Sequence, residues 1–164
     1  MEVEPLETGT AVVDEHLVKR HLAALPLDRE SLTWTSRFGF VGISVSDDRF
    51  IGEGMNEAGL NAGLFYFKGY GSLAPFDPDD TADNVADMDL VRWMLGQFAT
   101  VAEVRAALAD ITVAPIFIDE NGVPSPTAHW RVTDRAGGSI VIEIIDEGEV
   151  HVYDNEGGVL TNAP

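Results

Sequence analysis

Apolar and polar positions along the 164-residue chain fall into two strand-like regions separated by a helical one. The deepest apolar run is Leu60 to Phe67, LNAGLFYF, whose aromatic and aliphatic side chains with embedded small residues predict a strand covered on both faces. It is fed by Gly54 to Gly59, GMNEAG, where two glycines flank Asn56 and Glu57. Glycine tolerates positive φ and asparagine bonds to nearby backbone, so this stretch predicts a tight turn leading into a central strand. Tyr66, at the inner end of that strand, would be held rigidly where a substrate could meet it. Upstream, Phe38 to Ser46 mixes β-branched and aromatic residues in partial alternation and predicts a strand. Asp47 and Asp48 form a turn and Arg49 to Ile51 restarts a strand, giving three adjacent strands in an antiparallel meander. Before these lie Thr10 to Val13, a short edge or terminal strand, and His16 to Leu25, a helical turn or surface excursion closed by Pro26.

Lys68 to Asp87 carries Gly69, Gly71, Pro75, Pro78 and a run of acids, which predicts a loop of about 20 residues. A loop of that length at the end of a central strand is a natural pocket rim. Ala86 to Phe98 then sets Leu90, Val91, Met94, Leu95 and Phe98 at helical spacing, one buried stripe of an amphipathic helix. Thr100 and Glu103 form a capping box that starts a second helix through Ala109. Strands resume at Val113 to Ile118, Ala128 to Thr133, Ser139 to Ile145 and Glu149 to Tyr153, and Gly158 to Thr161 begins another. Strands, two helices, then strands predict an α+β domain, with a two-helix layer packed on a mostly antiparallel sheet.

Charge narrows the partners. The chain has 28 Asp plus Glu against 10 Lys plus Arg, a formal net charge of -18, and its lysines are Lys19 and Lys68. Such a surface repels nucleic acid and anionic membrane, both of which require a positive patch. No apolar run approaches the 18 or so residues of a membrane span, so membrane insertion is not expected. Met1 is followed by acidic residues, unlike a secretory leader, and the sequence leaves a cytoplasmic or periplasmic location undecided. There is no cysteine, which removes disulfides, thiolate metal sites and thiol nucleophiles from what these residues do alone. No cofactor motif is present, His16 and His21 lack the companions of a metal site, and His129 beside Trp130 reads as a satisfied core or rim histidine. Residue types alone stop at an acidic α+β domain.

Longer motifs carry a resemblance. GMNEAGLNAGLFYF, preceded by LTWTSRFGFVG and followed by VYDNEGGVLTNAP, is similar to the choloylglycine hydrolase family, which contains bile salt hydrolases and penicillin V acylases. The helical segment LVRWMLGQFATVAEVRAAL and the strand pair AHWRVTDRAGGSIVIEII fit the same pattern in order and spacing. The resemblance implies a partial αββα sandwich of the N-terminal nucleophile type and cleavage of linear amide C–N bonds. In that mechanism a processed N-terminal cysteine attacks and its own α-amino group serves as base. Asn162, in the LTN motif, falls on the oxyanion-hole asparagine, Tyr66 on the companion position of that hole, and Glu2 on the acid that orients the cysteine's amino group.

By the same resemblance the cysteine and an arginine lie ahead of Met1, and a further arginine lies past Pro164. The chain is therefore expected to be a single incomplete N-terminal nucleophile hydrolase domain over 1–164, inactive as it stands. Tyr70 and Phe76 on the pocket-rim loop suit an apolar acyl, aryl or steroid group of a small amide substrate. A homo-oligomer of the full-length protein stays open. The alternative is a degenerate member without catalysis, kept as a ligand-binding or interaction domain.

Overall fold

A computed structural model of the chain describes residues 32, 34–45, 47–74, 83–116 and 127–162. Among the described residues, eight strands and two α-helices follow one another as β1 (Phe40–Val45), β2 (Asp47–Asn56), β3 (Asn61–Tyr66), β4 (Asp83–Ala86), α1 (Leu90–Gln97), α2 (Val101–Ala107), β5 (Ile111–Ala114), β6 (Ala128–Thr133), β7 (Ser139–Ile145) and β8 (Glu149–Asp154). Six strands make one sheet in the order β1-β2-β3-β6-β7-β8, antiparallel at every pairing. The segment from β4 to β5 is an insertion between the neighbours β3 and β6.

Register decides which side chains share a face. Ala62, Val132 and Ile140 align across β3, β6 and β7, as do Leu64, Trp130 and Ile142. These pack with Leu90, Val91, Met94 and Leu95 of α1 and Val101 and Val104 of α2 into one core, so the helices cover this face. Gly54 in β2 lets them approach: a Cβ there would lie 2.8 Å from Leu95 Cδ1. The other face carries Val41 and Ile43 of β1, Glu53 and Met55 of β2, Phe65 of β3, His129 and Arg131 of β6, Glu143 of β7 and Tyr153 of β8. Ile43 is 68% exposed and Met55 50% on that face, an apolar presentation suited to a second sheet about 10 Å away.

The MNE segment is built as a clamp. Gly59 takes φ +87° in the turn after β2, and its N–H donates to Asn56 O over 2.9 Å. Asn56 is buried. Its Nδ2 donates to Leu95 O at 2.8 Å and Phe98 O at 2.7 Å, while its Oδ1 accepts from Leu60 N at 2.9 Å. One side chain thus satisfies the open carbonyl end of α1 and fixes the entry into β3.

Several expectations are corrected. Gly54 to Asn56 belong to β2 and the turn proper is Glu57–Gly59, because the ladder with β1 runs as far as Phe40 opposite Asn56. Among the described residues, cover for β3 comes from the helix layer on one face. The end of the long loop is β4, which pairs in parallel with β5, a long-range partnership without a local signal. A 3-10 turn at Asp87–Asp89 precedes α1, so the helix is shorter than the apolar stripe suggests. The expected strand at Val113 to Ile118 is centred earlier, at Ile111–Ala114. The capping box is as expected, with Glu103 N–H donating to Thr100 Oγ1 at 3.2 Å, and that helix ends at Ala107. Residues 158–161 form no strand. The Thr10 to Val13 and His16 to Leu25 segments lie outside the described residues.

Candidate functional site

The C-terminal end of β3 delivers its chain into residues 67–74, which fold back against the β7–β8 turn. Phe67 N–H donates to Thr127 O at 2.9 Å, Thr127 Oγ1 donates to Phe67 O at 2.8 Å, and Gly71 N–H also reaches Phe67 O, at 3.1 Å. Ser72 N–H donates to Ile144 O at 2.8 Å and Ser72 Oγ accepts from Glu147 N–H at 3.2 Å. The facing turn is strained: Asp146 and Glu147 take φ 49° and 62°, a left-handed conformation costing about 1–2 kcal/mol per non-glycine residue. Gly148 follows at φ 107°, and a Cβ there would sit 2.5 Å from that of Ala74. Between the two segments lies a cleft of about 460 Å³ lined by Phe67, Tyr70, Ser72, Glu143, Ile145, Asp146 and Glu147.

Behind it lies His129, 1% exposed. Its ring stacks on Phe67 with centroids 4.3 Å apart and meets Phe65 edge-on at 6.4 Å. Nδ1 is 3.7 Å from Glu143 Oε1, beyond hydrogen-bond length, and neither ring nitrogen has a hydrogen-bond partner. The satisfied histidine expected from the sequence is thus buried but without hydrogen bonds, because its ring is held between Phe67 and Phe65 with the Glu143 carboxylate beyond bonding distance. Burial pushes the imidazole below its ordinary range, against the opposing pull of the Glu143 carboxylate. Further along the same face Arg131 Nη2 lies 3.6 Å from Glu53 Oε1 and its guanidinium 5.6 Å from the Phe65 ring.

Tyr66 pairs with Ala128 and, by strand alternation, shares the side of Leu64; it is half exposed. Asn162 is exposed at a bend beyond the end of β8, and β6 and β7 separate β8 from β3. No hydrogen bond joins Tyr66 to Asn162. Tyr70 lines the cleft, whereas Glu2 and Phe76 lie outside the described residues. The sequence reading passed over the His129 and Glu143 pair, although counting outward from the turn at 134–138 puts those two polar positions opposite each other. Asp146, Glu149 and His151 bring ligand atoms within 4.8 Å of one another. That grouping is accounted for by the imidazole, which when protonated pairs with both carboxylates at 3.9 and 3.8 Å. Among the described residues no helix is long and apolar enough to cross a membrane.

Comparison with known proteins places this architecture. A model of the linear amide C–N hydrolases, choloylglycine hydrolase family, matches residues 5–164. A bile salt hydrolase/transferase of Clostridium perfringens is 35% identical over 132 residues, covering 79% of this chain and 39% of its own length. Among solved structures, a single-residue variant of the conjugated bile acid hydrolase from Clostridium perfringens superposes with a TM-score of 0.67 at 32% identity, over 81% of this chain and 40% of that one. Penicillin V acylase from Agrobacterium tumefaciens gives 0.66 at 27% identity, over 81% and 38%. The chain spans about two fifths of the length of these relatives. Its helix-backed antiparallel sheet is one side of the N-terminal nucleophile hydrolase sandwich, and the chain belongs to the choloylglycine hydrolase family of linear amide C–N hydrolases.

Proposed function

We propose that these residues form part of a hydrolase that cleaves a linear amide C–N bond in a small substrate with an apolar acyl, aryl or steroid group. Penicillin V and conjugated bile acids are the candidates suggested by the relatives' names. The observation that supports this best is the likeness of the sheet and helix layer, at a TM-score of 0.67, to a conjugated bile acid hydrolase.

In this reading Asn162 donates its side-chain N–H to the developing oxyanion, Tyr66 supplies the companion donor from backbone or side chain, and Glu2 orients the nucleophile's amino group. Tyr70 and Phe76 hold the apolar part of the substrate. The attacking thiolate comes from outside these residues, since they include no cysteine. A preorganised oxyanion hole has nothing to stabilise until an attacker is present. The chain is thus one incomplete domain, inactive alone, and the exposed Val41, Ile43 and Met55 of the open sheet face are where the second sheet packs.

The purified 164-residue chain, free of host acylase, is expected to turn over neither penicillin V nor glycine- or taurine-conjugated bile acids. Turnover by that sample would refute the dependence on an external thiolate. In an active full-length enzyme that contains these residues together with the cysteine and the second sheet, Asn162→Ala should lower kcat about 100–1,000-fold with little change in KM. Unchanged kcat would remove Asn162 from the oxyanion hole. The lack of cysteine favours a second reading, a non-catalytic ligand-binding domain. It requires a monodisperse chain with a cooperative thermal transition, whereas aggregation supports the incomplete enzyme.

A further inference from the structure

The turn that carries Tyr70 is held by a residue to which amide cleavage has so far given no part. Beyond β3 the chain reverses at residues 67–70: Tyr70 N–H donates to Phe67 O at 3.2 Å, and Gly69 takes φ +86°, the conformation that a type II turn demands of its third residue. Lys68, Gly69 and Tyr70 are exposed, so water competes for the turn. The Phe67 carbonyl is its pivot. Besides Tyr70 N–H it accepts Gly71 N–H at 3.1 Å and, in the shortest of the three bonds, Thr127 Oγ1 at 2.8 Å. Thr127 is buried and 60 residues distant in the chain. It stands one step past the Tyr66–Ala128 pair of the ladder, where its carbonyl accepts Phe67 N–H at 2.9 Å. The loop is fitted to it: a Cβ on Gly71 would lie 2.7 Å from Thr127 Cβ and 3.0 Å from Oγ1. The Tyr70 ring rests on Phe67 with centroids 5.4 Å apart. Phe67, 1% exposed and stacked on His129 at 4.3 Å, is a support too deep to meet a ligand, whereas half of Tyr70 stays open.

We propose that Thr127 is a positioning residue for the apolar group of the amide substrate: its hydroxyl clamps the Phe67 carbonyl, that carbonyl closes the turn, and the turn holds Tyr70 against the group. Thr127 itself, being buried, touches no substrate. This role rests on the reading of Tyr70 as a substrate-binding residue of an amide hydrolase. Without the clamp, an exposed turn samples more conformers, and ordering it on each binding event lowers affinity. Tyr66 remains fixed by its place in the β3–β6 ladder, so the loss falls on binding of the apolar group and spares the bond-breaking step.

The test uses the active full-length enzyme that contains these residues. Its substrates are penicillin V or glycocholate, whichever is cleaved faster, and the acetyl counterpart of that substrate, 6-acetamidopenicillanate or N-acetylglycine. Thr127→Val keeps the shape, removes the hydroxyl and leaves the Phe67 carbonyl its two N–H donors. It should raise KM for the full substrate about fivefold with kcat unchanged, the mark of lost uniform binding, and leave kcat/KM for the acetyl counterpart as it was. Thr127→Ser keeps the donor and should stay near wild type. Gly71→Ala drives a methyl group into Thr127 and should raise KM in the same way, so the outcome does not hang on one variant. In a Tyr70→Ala background Thr127→Val should add nothing, because its effect passes through Tyr70. Equal loss on both substrates, a fall in kcat at constant KM, or additivity with Tyr70→Ala would each overturn the role of Thr127 and leave amide cleavage standing. Absence of turnover of either substrate by the wild-type enzyme would overturn the amide reading itself, and this role with it.

Discussion

Asp87 offers the sharpest test of how this fold is held together. It follows β4 directly, and its Oδ1 accepts from its neighbour Met88 N–H at 2.9 Å and from Ile116 N–H at 3.0 Å. The second bond ties the end of the parallel β4–β5 pair, beyond the last ladder position at Ala86 opposite Ala114. The carboxylate does this beside Phe50, Met88 and Ile116, and burial pushes its pKa up to about 6, with the Asp89 carboxylate adding to the rise and the two N–H donors opposing it. Because the folded-state pKa lies above the unfolded value near 4, the native state binds a proton more tightly. Stability from this group is fully present below pH 4 and falls as pH rises toward 6 and through it. About two pKa units at 1.36 kcal/mol each amount to roughly 3 kcal/mol, a large share of the 5–15 kcal/mol typical of a domain.

Asp87→Asn removes the charge and keeps the acceptor. Urea unfolding followed by tryptophan fluorescence, run from pH 4 to 8 on wild type and variant, should give a difference near zero at pH 4. Above pH 7 it should grow to about 2–3 kcal/mol in favour of the variant. Taking the difference cancels the background from the other carboxylates, which titrate in both proteins. Asp87→Ala discards the acceptor and should destabilise by about 2–4 kcal/mol even at pH 4, where charge is no longer at issue, because two buried N–H groups lose their partner. A difference between wild type and Asp87→Asn that does not vary with pH, or that favours wild type at high pH, would refute the account of this carboxylate as a buried charge tolerated for its two hydrogen bonds.

Three further outcomes are expected. Asn56→Ala should cost about 3–5 kcal/mol, since it strands the carbonyls of Leu95 and Phe98 and the N–H of Leu60 together; thermal denaturation would register it, and a loss under 1 kcal/mol would show that water replaces the clamp. Asp134 accepts from Val101 N–H at the start of α2 and from Ala136 and Gly138 N–H, each at 2.9 Å. These bonds, that from Val101 foremost, hold its pKa below the usual range, so its stabilisation is present above pH 4 and is lost as pH falls through the folded value. The gap in stability between wild type and Asp134→Asn should therefore narrow on acidification, measured by the same urea series. On the open sheet face, Ile43→Lys at a 68% exposed position should reduce self-association of the isolated chain in sedimentation velocity; unchanged association would place the sticky surface elsewhere.

What the sequence made legible follows the range of the interactions involved. The β6–β7–β8 meander and the capping box of α2 rest on near neighbours: strand alternation, tight turns, and a threonine three residues before a glutamate. Both were readable. The β4–β5 pair was not, because Asp83–Ala86 and Ile111–Ala114 are four-residue strands that become a sheet only when the two helices between them bring them together in parallel. Asn56 shows the same division within one side chain. Its turn role was evident from the flanking glycines, but its two bonds to the end of α1 span 39 and 42 residues, and nothing local announces them.

The composition of Leu60 to Phe67 predicts a strand covered on both faces, and the described residues cover only the helix side. That composition is nevertheless a physical fact about the strand. Phe65 of β3, with Val41, Ile43 and Met55 on the same face, suits contact with another apolar layer, the role that the proposed reading gives to a second sheet.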